Sequence, residues 1–214
     1  MAKKTTVQRN ATVASRSFST CNPASEMQIY FNKWNSLSDY VSQEAALNMI
    51  FLGSGALGFS QPELMVKCAT LNDFYSTYIF KIYYVVRHYL TVANLQARLS
   101  AGDVSLVDDL RNVPTPRSVK PIDFYSFATK FCSHHNPSAY PICDKLAVKA
   151  LYEFRKRDKF ANFTKTSLTN YSNYIAAIDA FMAFYGLNNY TYKDVDKYLW
   201  QIGKELEEGV ISLP

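Results

Sequence analysis

One stretch of the sequence holds the residue types best suited to chemistry. It is FYSFATKFCSHHNPSAYPICDKLAVKAL, residues 124–151, with Lys130 inside an aromatic helical pattern and Asp144 directly before a second helical pattern. A lysine amine can act as a nucleophile, and a carboxylate can stabilise a cationic transition state. Each residue also has an ordinary structural explanation, because most helical lysines are solvated and aspartate is a favoured helix N-cap. Neither residue alone predicts a site.

The helical pattern around Lys130 predicts which side chains share a face. An apolar stripe at positions i, i+3, i+4 and i+7 is formed by Phe124, Phe127, Ala128 and Phe131. The opposite side is predicted to place the amine among small hydroxyl residues, namely Ser126, Thr129 and Ser133. We therefore expect a polar face that a phosphate could approach closely.

The same stretch contains residue types that bind metals: Cys132, His134, His135 and Cys143. Their spacing does not match the usual structural zinc motifs. We therefore predict no metal and no cofactor, and interpret the histidines as polar or phosphate-facing groups at a helix end. A metalloprotein built on these four residues is a further alternative, which elemental analysis would test.

Composition indicates a folded, all-α protein. The 214 residues are 48% hydrophobic, and the 7 glycines and 8 prolines separate segments whose apolar residues recur at helical spacing. The four cysteines form no C-x-x-C pair, which favours reduced, buried thiols. No apolar run reaches the roughly 18 residues of a membrane span, so we expect a soluble, cytoplasmic protein without a membrane partner.

The helical patterns define ten segments. The predicted segments are Pro23–Trp34, Ser38–Leu52, Gln61–Leu71, Ile79–Thr91, Val92–Ser100, a short turn after Asp103, Pro121–His134, Asp144–Arg157, Thr169–Tyr185 and Tyr192–Glu207. Between the turn and the helix with Lys130, residues 109–121 are rich in proline and contain Arg111, Arg117 and Lys120, so we predict a connecting loop there.

Charge separates the N-terminus from the rest of the chain. Residues 1–25 contain four basic residues and no acid, a formal charge of +4, and the remainder carries only +1. We predict a flexible basic tail over residues 1–22 and one helical domain over residues 23–214. The tail's composition fits an arm that contacts a polyanion, an organelle transit peptide, or a solubilising leader.

A resemblance joins Lys130 to Asp144. The run Ser-Phe-Ala-Thr-Lys, followed by Pro-Ile-Cys-Asp and a new helix, resembles the active-site segment of the helix-hairpin-helix DNA glycosylases, in particular the bacterial 8-oxoguanine-glycosylase-like branch. Thr129 and Lys130 correspond to the Thr-Lys of that family, and Asp144 to its catalytic acid, with Cys143 as an extra or substituted residue. Weaker similarity extends from LNDFYSTYIFKIYYVVRH to DVDKYLWQIGK. The resemblance implies a two-lobed helical bundle with a cleft between the lobes.

The sequence departs from that family at the hairpin before the lysine. Family members carry glycines there, whose backbone N–H groups bind a DNA phosphate, whereas Ser126 and Ala128 occupy those places in this chain. Phosphate binding by Ser126, Thr129 and His134, with a contribution from Lys120, is the expectation that follows.

The resemblance implies a base-excising enzyme acting on duplex DNA. Asp144 would stabilise the positive charge that develops on the sugar, and Lys130 would attack the same carbon and form a Schiff base that permits strand cleavage. The excised base would leave the helix, and a turn would fill the gap; by resemblance that turn is Ser76, Thr77 and Tyr78, with Lys81 near the DNA backbone.

The substrate and biological setting stay open at this stage. We expect a monomer that removes 8-oxoguanine or another damaged base, or a modified pyrimidine from invading phage DNA. The alternative from another class is a catalytically silent helical DNA-binding or adaptor protein with the same fold.

Overall fold

The chain is helical throughout most of its length. A computed structural model describes residues 16–116 and 118–214. Within these residues the α-helices are α1 (Pro23–Asn35), α2 (Ser38–Phe51), α3 (Gln61–Phe74), α4 (Tyr83–Thr91), α5 (Leu95–Ala101), α6 (Leu106–Arg111), α7 (Tyr125–His135), α8 (Lys145–Asp158), α9 (Tyr171–Phe184) and α10 (Tyr192–Glu208). The all-α prediction is confirmed. None of these helices combines the length and the apolar character that crossing a membrane requires.

All ten predicted segments contain a helix, and the two largest differences are helices that begin four residues later than predicted. The segment predicted from Ile79 becomes helical only at Tyr83, because the preceding turn has positive φ at Ser76, Tyr78 and Lys81. The segment predicted from Pro121 begins at Tyr125, because the residues before it pair as a strand. Backbone outside the right-handed region cannot continue an α-helix, so both starts move towards the C-terminus.

Two short strand pairs complete the described structure. Strand β1 (Arg16–Ser17) lies parallel to β4 (Ile211–Ser212), and β2 (Asn112–Val113) lies antiparallel to β3 (Ile122–Asp123). The β2–β3 pair connects α6 to α7 and lies where the sequence predicted an irregular loop.

The predicted tail divides at the edge of the described residues. Residues 1–15 lie outside them, whereas residues 16–22 pack against the body. Phe18 and Cys21 are each only 2% exposed, and Arg157 Nη1 donates 2.8 Å hydrogen bonds to both of their carbonyl oxygens. Burial of these apolar side chains therefore places this part of the predicted tail within the folded domain.

Tyrosine hydroxyls hold the loop that separates α7 from α8. Tyr171 donates a 2.9 Å hydrogen bond to the Pro141 carbonyl, and Tyr174 donates a 2.7 Å bond to the Ile142 carbonyl. Both tyrosines are almost completely buried, so each ring fills the core while its hydroxyl satisfies a loop carbonyl. These bonds fix the backbone directly before Asp144.

A close helix crossing holds α8 against α10. Gly203 of α10 faces the first turn of α8, and a methyl group at this position would overlap the carbonyl group of Leu146. A larger residue would therefore separate the two helices. This contact sets the distance between the start of α8, where Asp144 lies, and the side chains of α10.

Candidate active site

Lys130 and Asp144 line one cleft. The cleft has a volume of about 700 Å³ and opens between the end of α3, the start of α7 and the start of α8. Besides the two predicted catalytic residues, its walls include Tyr75, Ser76, Thr77, Arg111, Ser126, Lys145, Lys165 and Trp200. The structure therefore brings together the pair that the sequence resemblance joined.

A hydrogen bond between their neighbours explains how the two residues come to one wall. Thr129 Oγ1 accepts a 3.1 Å bond from the backbone N–H of Cys143 and donates a 3.0 Å bond to the Ser126 carbonyl. Thr129 directly precedes Lys130, and Cys143 directly precedes Asp144. The bond thus ties the middle of α7 to the residue before α8, and satisfies a buried N–H group that would otherwise lack a partner.

The surroundings of Lys130 differ from the prediction. The helical wheel placed it on an accessible polar face, but Lys130 is 4% exposed, and Thr129 and Ser133 are also buried. Lys130 Nζ donates a 2.6 Å hydrogen bond to Ser126 Oγ and lies 5.0 Å from the ring centroid of Tyr75. The lysine is therefore largely buried in the cleft wall, and Ser126 and Tyr75 fix the position of its amine.

Asp144 is the N-cap of α8. Its Oδ1 accepts a 2.8 Å hydrogen bond from the backbone N–H of Ala147, and its side chain is half-buried on the cleft wall. The prediction of an N-cap is confirmed. Because the positive end of the helix dipole favours negative charge, this position suits a carboxylate that stabilises a cationic sugar.

A second, smaller pocket continues inward from the cleft. It has a volume of about 250 Å³ and shares Tyr75, Ser76, Asp144 and Trp200 with the outer cleft. Three of its aromatic side chains contact one another, with ring centroids 5.2–5.8 Å apart: Trp34, Tyr40 and Trp200. Walls of this kind accept flat, aromatic ligands.

A partly buried acid in the inner pocket was not among the predicted site residues. Asp196 lines this pocket, and its Oδ1 is buried without a hydrogen-bond partner among the described residues. Burial and the nearby charge of Asp144 raise the pKa of Asp196 well above its ordinary value, against the attraction of Lys130, Lys193 and Lys197. This shift favours the neutral form of the carboxyl group, which can donate a hydrogen bond to a ligand.

Glu44 lines the same pocket, and its pKa is shifted in the opposite direction from that of Asp196. Its carboxylate accepts a 3.2 Å hydrogen bond from Trp34 Nε1 and forms ion pairs with Lys193 at 2.7 Å and Lys197 at 2.9 Å. Burial acts to raise the pKa of Glu44, but the hydrogen bonds from the two lysines outweigh it and lower the pKa. The inner pocket thus offers one acid that favours the neutral form and one that favours the charged form.

Two residues predicted to contact DNA are buried instead. Thr129 is fully buried and serves the bond to Cys143, and His134 is 4% exposed with its Nε2 2.9 Å from the Tyr75 hydroxyl. Burial and the charge of Lys193 lower the pKa of His134 to about 3, so its ring is neutral at physiological pH. Thr129 therefore has no access to DNA, and His134 faces the inner pocket instead of an outer surface.

Ser126 and Ala128 do not lie in the hairpin that the resemblance implies. Both residues lie within α7, and the connection before this helix is the β2–β3 pair. Ser126 is half-buried and binds Lys130, as described above, whereas Lys120 is exposed on the connection and does not line the cleft. The glycine-based phosphate site of the resembled family therefore has no counterpart at these two positions.

The predicted gap-filling turn lies at the mouth of the cleft. Ser76 and Thr77 line the cleft, and Tyr78 is 77% exposed. Asn72 braces this turn, because its Oδ1 accepts a 2.8 Å bond from the Ile79 N–H and a 2.7 Å bond from the Thr77 hydroxyl. Lys81 is exposed at the end of the turn. The turn is therefore ordered and presents an aromatic ring to solvent.

The additional site residues had only a weak signal in the sequence. Asp196 and Trp200 are four residues apart on the strongly amphipathic α10, so they share a face, but nothing in their spacing indicates which cavity that face meets. Tyr75 lies at the end of α3, far from Lys130 in sequence. Among the described residues, no group of three His, Cys, Asp or Glu side chains is arranged to hold a metal ion.

Comparisons with known proteins place the chain in a family. A Haemophilus influenzae protein titled "Uncharacterized protein" is 43% identical over 135 residues, which is 63% of this chain and 63% of that protein. The chain thus spans less than two thirds of the length of this relative. No solved structure matches the chain. The family model described as the HI_0787_N N-terminal domain matches residues 26–139, from α1 to the residues after α7. Because the match covers more than half of the sequence, the chain belongs to the HI_0787_N N-terminal domain family.

Proposed function

We propose that the protein is a DNA glycosylase that excises a damaged or modified base with Lys130 and Asp144. The observation that carries this proposal is the Thr129–Cys143 hydrogen bond, which holds both residues on one cleft wall beside an aromatic inner pocket. A nucleophilic amine, a carboxylate and a pocket for a flat ring are the three parts that base excision requires.

The arrangement of the cavities suits a nucleotide turned out of the duplex. The base enters the inner pocket between Trp34, Tyr40 and Trp200, and the sugar stays at the junction with the outer cleft. Asp144 belongs to the walls of both cavities, so its carboxylate lies where the bond between sugar and base would be. The two-lobed arrangement of the resembled glycosylases, acting as a monomer, is part of this proposal.

The chemistry follows from the position of each group. The amine of Lys130 gives up a proton to the solvent and attacks C1′ of the sugar, and the electron pair of the breaking C1′–N bond moves to the base. Asp144 stabilises the positive charge that develops on the sugar. The base takes up a proton, for which the proposed donor is the carboxyl group of Asp196, because its raised pKa favours the protonated form. Opening of the sugar ring leaves a Schiff base on Lys130, and elimination then cleaves the strand.

Tyr78 would occupy the space left by the excised nucleotide. It is exposed on the braced turn at the cleft mouth, as is Phe80 two residues later. Insertion of a ring between neighbouring base pairs offsets part of the cost of removing one base from the stack. Replacing Tyr78 by alanine should therefore weaken binding to a modified duplex more than it slows the chemical step.

Borohydride trapping tests the proposal. The full chain is incubated with duplexes that contain an abasic site or one of a panel of modified bases, including 8-oxoguanine and modified pyrimidines, in the presence of borohydride. We expect a covalent adduct with at least one duplex, because borohydride reduces the Schiff base to a stable amine. We also expect Lys130→Ala to form no adduct.

Lys145 provides the matched control. It is an exposed lysine on the same cleft, so Lys145→Ala should keep the adduct when the enzyme is saturating. If the adduct persists in Lys130→Ala and disappears in Lys145→Ala, the nucleophile is Lys145 and the proposed mechanism is overturned.

The panel also separates the possible activities. Base release without an adduct, abolished by Asp144→Asn, would show a glycosylase that uses water in place of the lysine. Absence of both base release and adduct across the panel would favour the non-catalytic DNA-binding or adaptor protein.

A further inference from the structure

The outer face of α8 carries basic residues that the proposed chemistry does not use. Lys145, Lys149, Tyr152 and Lys156 are separated by four, three and four residues, so at 3.6 residues per turn they fall within about 60° of one another on the helix. Lys165, on the segment after the helix, adds a further charge, since its Nζ lies 4.8 Å from the ring centroid of Tyr152. We call these four lysines and Tyr152 the basic stripe.

The net positive charge of the folded domain is concentrated here. Residues 144–165 contain seven basic and three acidic residues, a formal charge of +4, although the whole chain after residue 25 carries only +1. The remaining part of the domain is therefore negatively charged overall. A local excess of this kind on a nearly neutral protein indicates a surface for a polyanion.

The basic stripe is continuous with the cleft. Lys145 and Lys165 line the cleft together with Lys130 and Asp144. From there the stripe follows the axis of α8 away from the cleft, and the opposite side of the helix is buried in the core: Ala147, Ala150, Leu151 and Phe154. A strand bound in the cleft would meet the stripe as it leaves.

Tyr152 keeps two of the lysine head groups in place. Its ring lies 5.8 Å from Lys156 Nζ and 4.8 Å from Lys165 Nζ, so both ammonium groups are held over one aromatic surface. Such contacts restrict long side chains that would otherwise move freely, and less conformational entropy is lost when a ligand binds.

Two carboxylates touch the stripe without neutralising it. Glu207 accepts an ion pair from Lys145 at 2.7 Å, and Glu153 accepts one from Lys156 at 2.5 Å. The Lys145–Glu207 pair is exposed on both sides and contributes only about 0–1 kcal/mol, so a phosphate can compete for that ammonium group. Glu153 is buried, and Lys156 can offer a phosphate the ammonium hydrogens that this pair does not use. Lys149 and Lys165 have no acidic partner within ion-pair distance among the described residues.

We propose that the basic stripe binds the phosphates of one DNA strand beside the cleft. From Lys145 to Lys156 the helix rises about 16 Å, and successive phosphates of one strand rise about 3.4 Å along duplex DNA, so the stripe matches about five phosphates. Lys145 and Lys149, about 6 Å apart along the axis, would then meet phosphates two apart, and Lys149 and Lys156, about 10.5 Å apart, phosphates three apart. The inference rests on the proposed function, because it extends the surface that holds DNA around the cleft.

The dependence of binding on salt tests this inference. The probe is an unmodified 25-base-pair duplex, and the variant replaces Lys149, Lys156 and Lys165 by glutamine. Each of these lysines is exposed or half-exposed, and the proposed chemistry gives none of them a role. Each lost phosphate contact lowers the slope of log Kd against log salt by about 0.9, so we expect a decrease of about 2.7. The Lys149→Arg, Lys156→Arg, Lys165→Arg protein keeps the charge and should keep the wild-type slope.

The controls distinguish this inference from the proposed function. An unchanged slope in the glutamine variant overturns the stripe, whatever borohydride trapping shows. If the wild-type protein forms no borohydride adduct, the proposed function is overturned. The slope of log Kd against log salt still decides whether the stripe binds DNA. Competition by polyglutamate as effective as that by duplex DNA at equal charge would assign the stripe to acidic proteins and also overturn the inference. Unchanged thermal unfolding of both triple variants shows that the fold is kept.

Discussion

Lys130 Nζ donates a 2.6 Å hydrogen bond to Ser126 Oγ, one turn earlier on the same helix. The hydroxyl holds the amine at the cleft wall, beside the ring of Tyr75. Because the Ser126 hydroxyl is engaged by this amine, its role in the proposed mechanism is to position the nucleophile.

Removing the Ser126 hydroxyl should slow the reaction without ending it. A net hydrogen bond of about 1 kcal/mol corresponds to about a fivefold change in rate, so Ser126→Ala is expected to lower the single-turnover rate of base release by that factor. Ser126→Thr, which restores a hydroxyl, is the control. A rate equal to the wild-type value in Ser126→Ala would show that the bond does not position the amine.

Asp144 combines a structural and a proposed catalytic role, and two substitutions separate them. Asp144→Asn should keep the cap, because asparagine is as good an N-cap as aspartate, whereas Asp144→Ala loses about 1 kcal/mol of stability with the bond to Ala147. We expect Asp144→Asn to unfold at nearly the wild-type urea concentration but to release base about 100-fold more slowly. Asp144→Ala should be slow and also less stable. Normal activity in Asp144→Asn would contradict the assigned role.

Thr129 is expected to act through stability and not through DNA contact. Thr129→Val removes the acceptor for the buried N–H of Cys143, which costs about 1–3 kcal/mol of unfolding free energy. Thr129→Ser keeps the hydroxyl and should recover most of this loss. Urea unfolding measures both values. The salt dependence of duplex binding should be the same in both variants, and a weaker dependence in Thr129→Val would instead support a phosphate contact.

Gly203 should not tolerate a side chain. A methyl group there would overlap the Leu146 carbonyl, so Gly203→Ala is expected to destabilise the fold by about 1–3 kcal/mol or to displace α10 from α8. Gly55→Ala is the matched control, because a methyl group at Gly55 meets nothing within 4 Å. Equal urea midpoints for the two variants would show that the helices separate at no cost.

The pH dependence of stability should reveal a buried lysine elsewhere. Lys67 is fully buried, with its Nζ 4.5 Å from the ring centroid of Phe59 and 3.4 Å from His135 Nε2. Burial lowers the pKa of Lys67 from 10.5 to about 8, although the charge of Glu63 acts in the opposite direction. Between these two pH values the unfolded chain binds more protons than the folded one, so raising the pH stabilises the folded state through this group.

Lys67→Met tests this effect. The unfolding free energy of the wild-type protein minus that of Lys67→Met should rise between about pH 8 and pH 10.5, by up to about 3 kcal/mol, and should be lowest near neutral pH. Taking the difference removes the titration of the cysteines and tyrosines common to both proteins. A flat difference for Lys67→Met would mean that its ammonium group is not disfavoured in the folded state.

The sequence by itself determined the helices and most of their ends. Local rules are sufficient there: Asp144 caps α8, proline lies in the first turn of α3, and Gly186 adopts a positive φ after α9. The two late helix starts escaped prediction, because strained backbone at Ser76 and strand pairing at Ile122 depend on more than local preference.

Only the tertiary structure decided what surrounds the candidate site. A helical wheel identifies the opposite faces of α7 but not the number of helices packed around it. The polar face with Lys130 is buried because α2, α3, α5 and α6 all contact α7. For the same reason Asp196, over fifty residues after Asp144, could not be joined to it from spacing alone. The approach of α10 to α8 at Gly203 brings these two acids together, and such a contact is set by packing across the whole core.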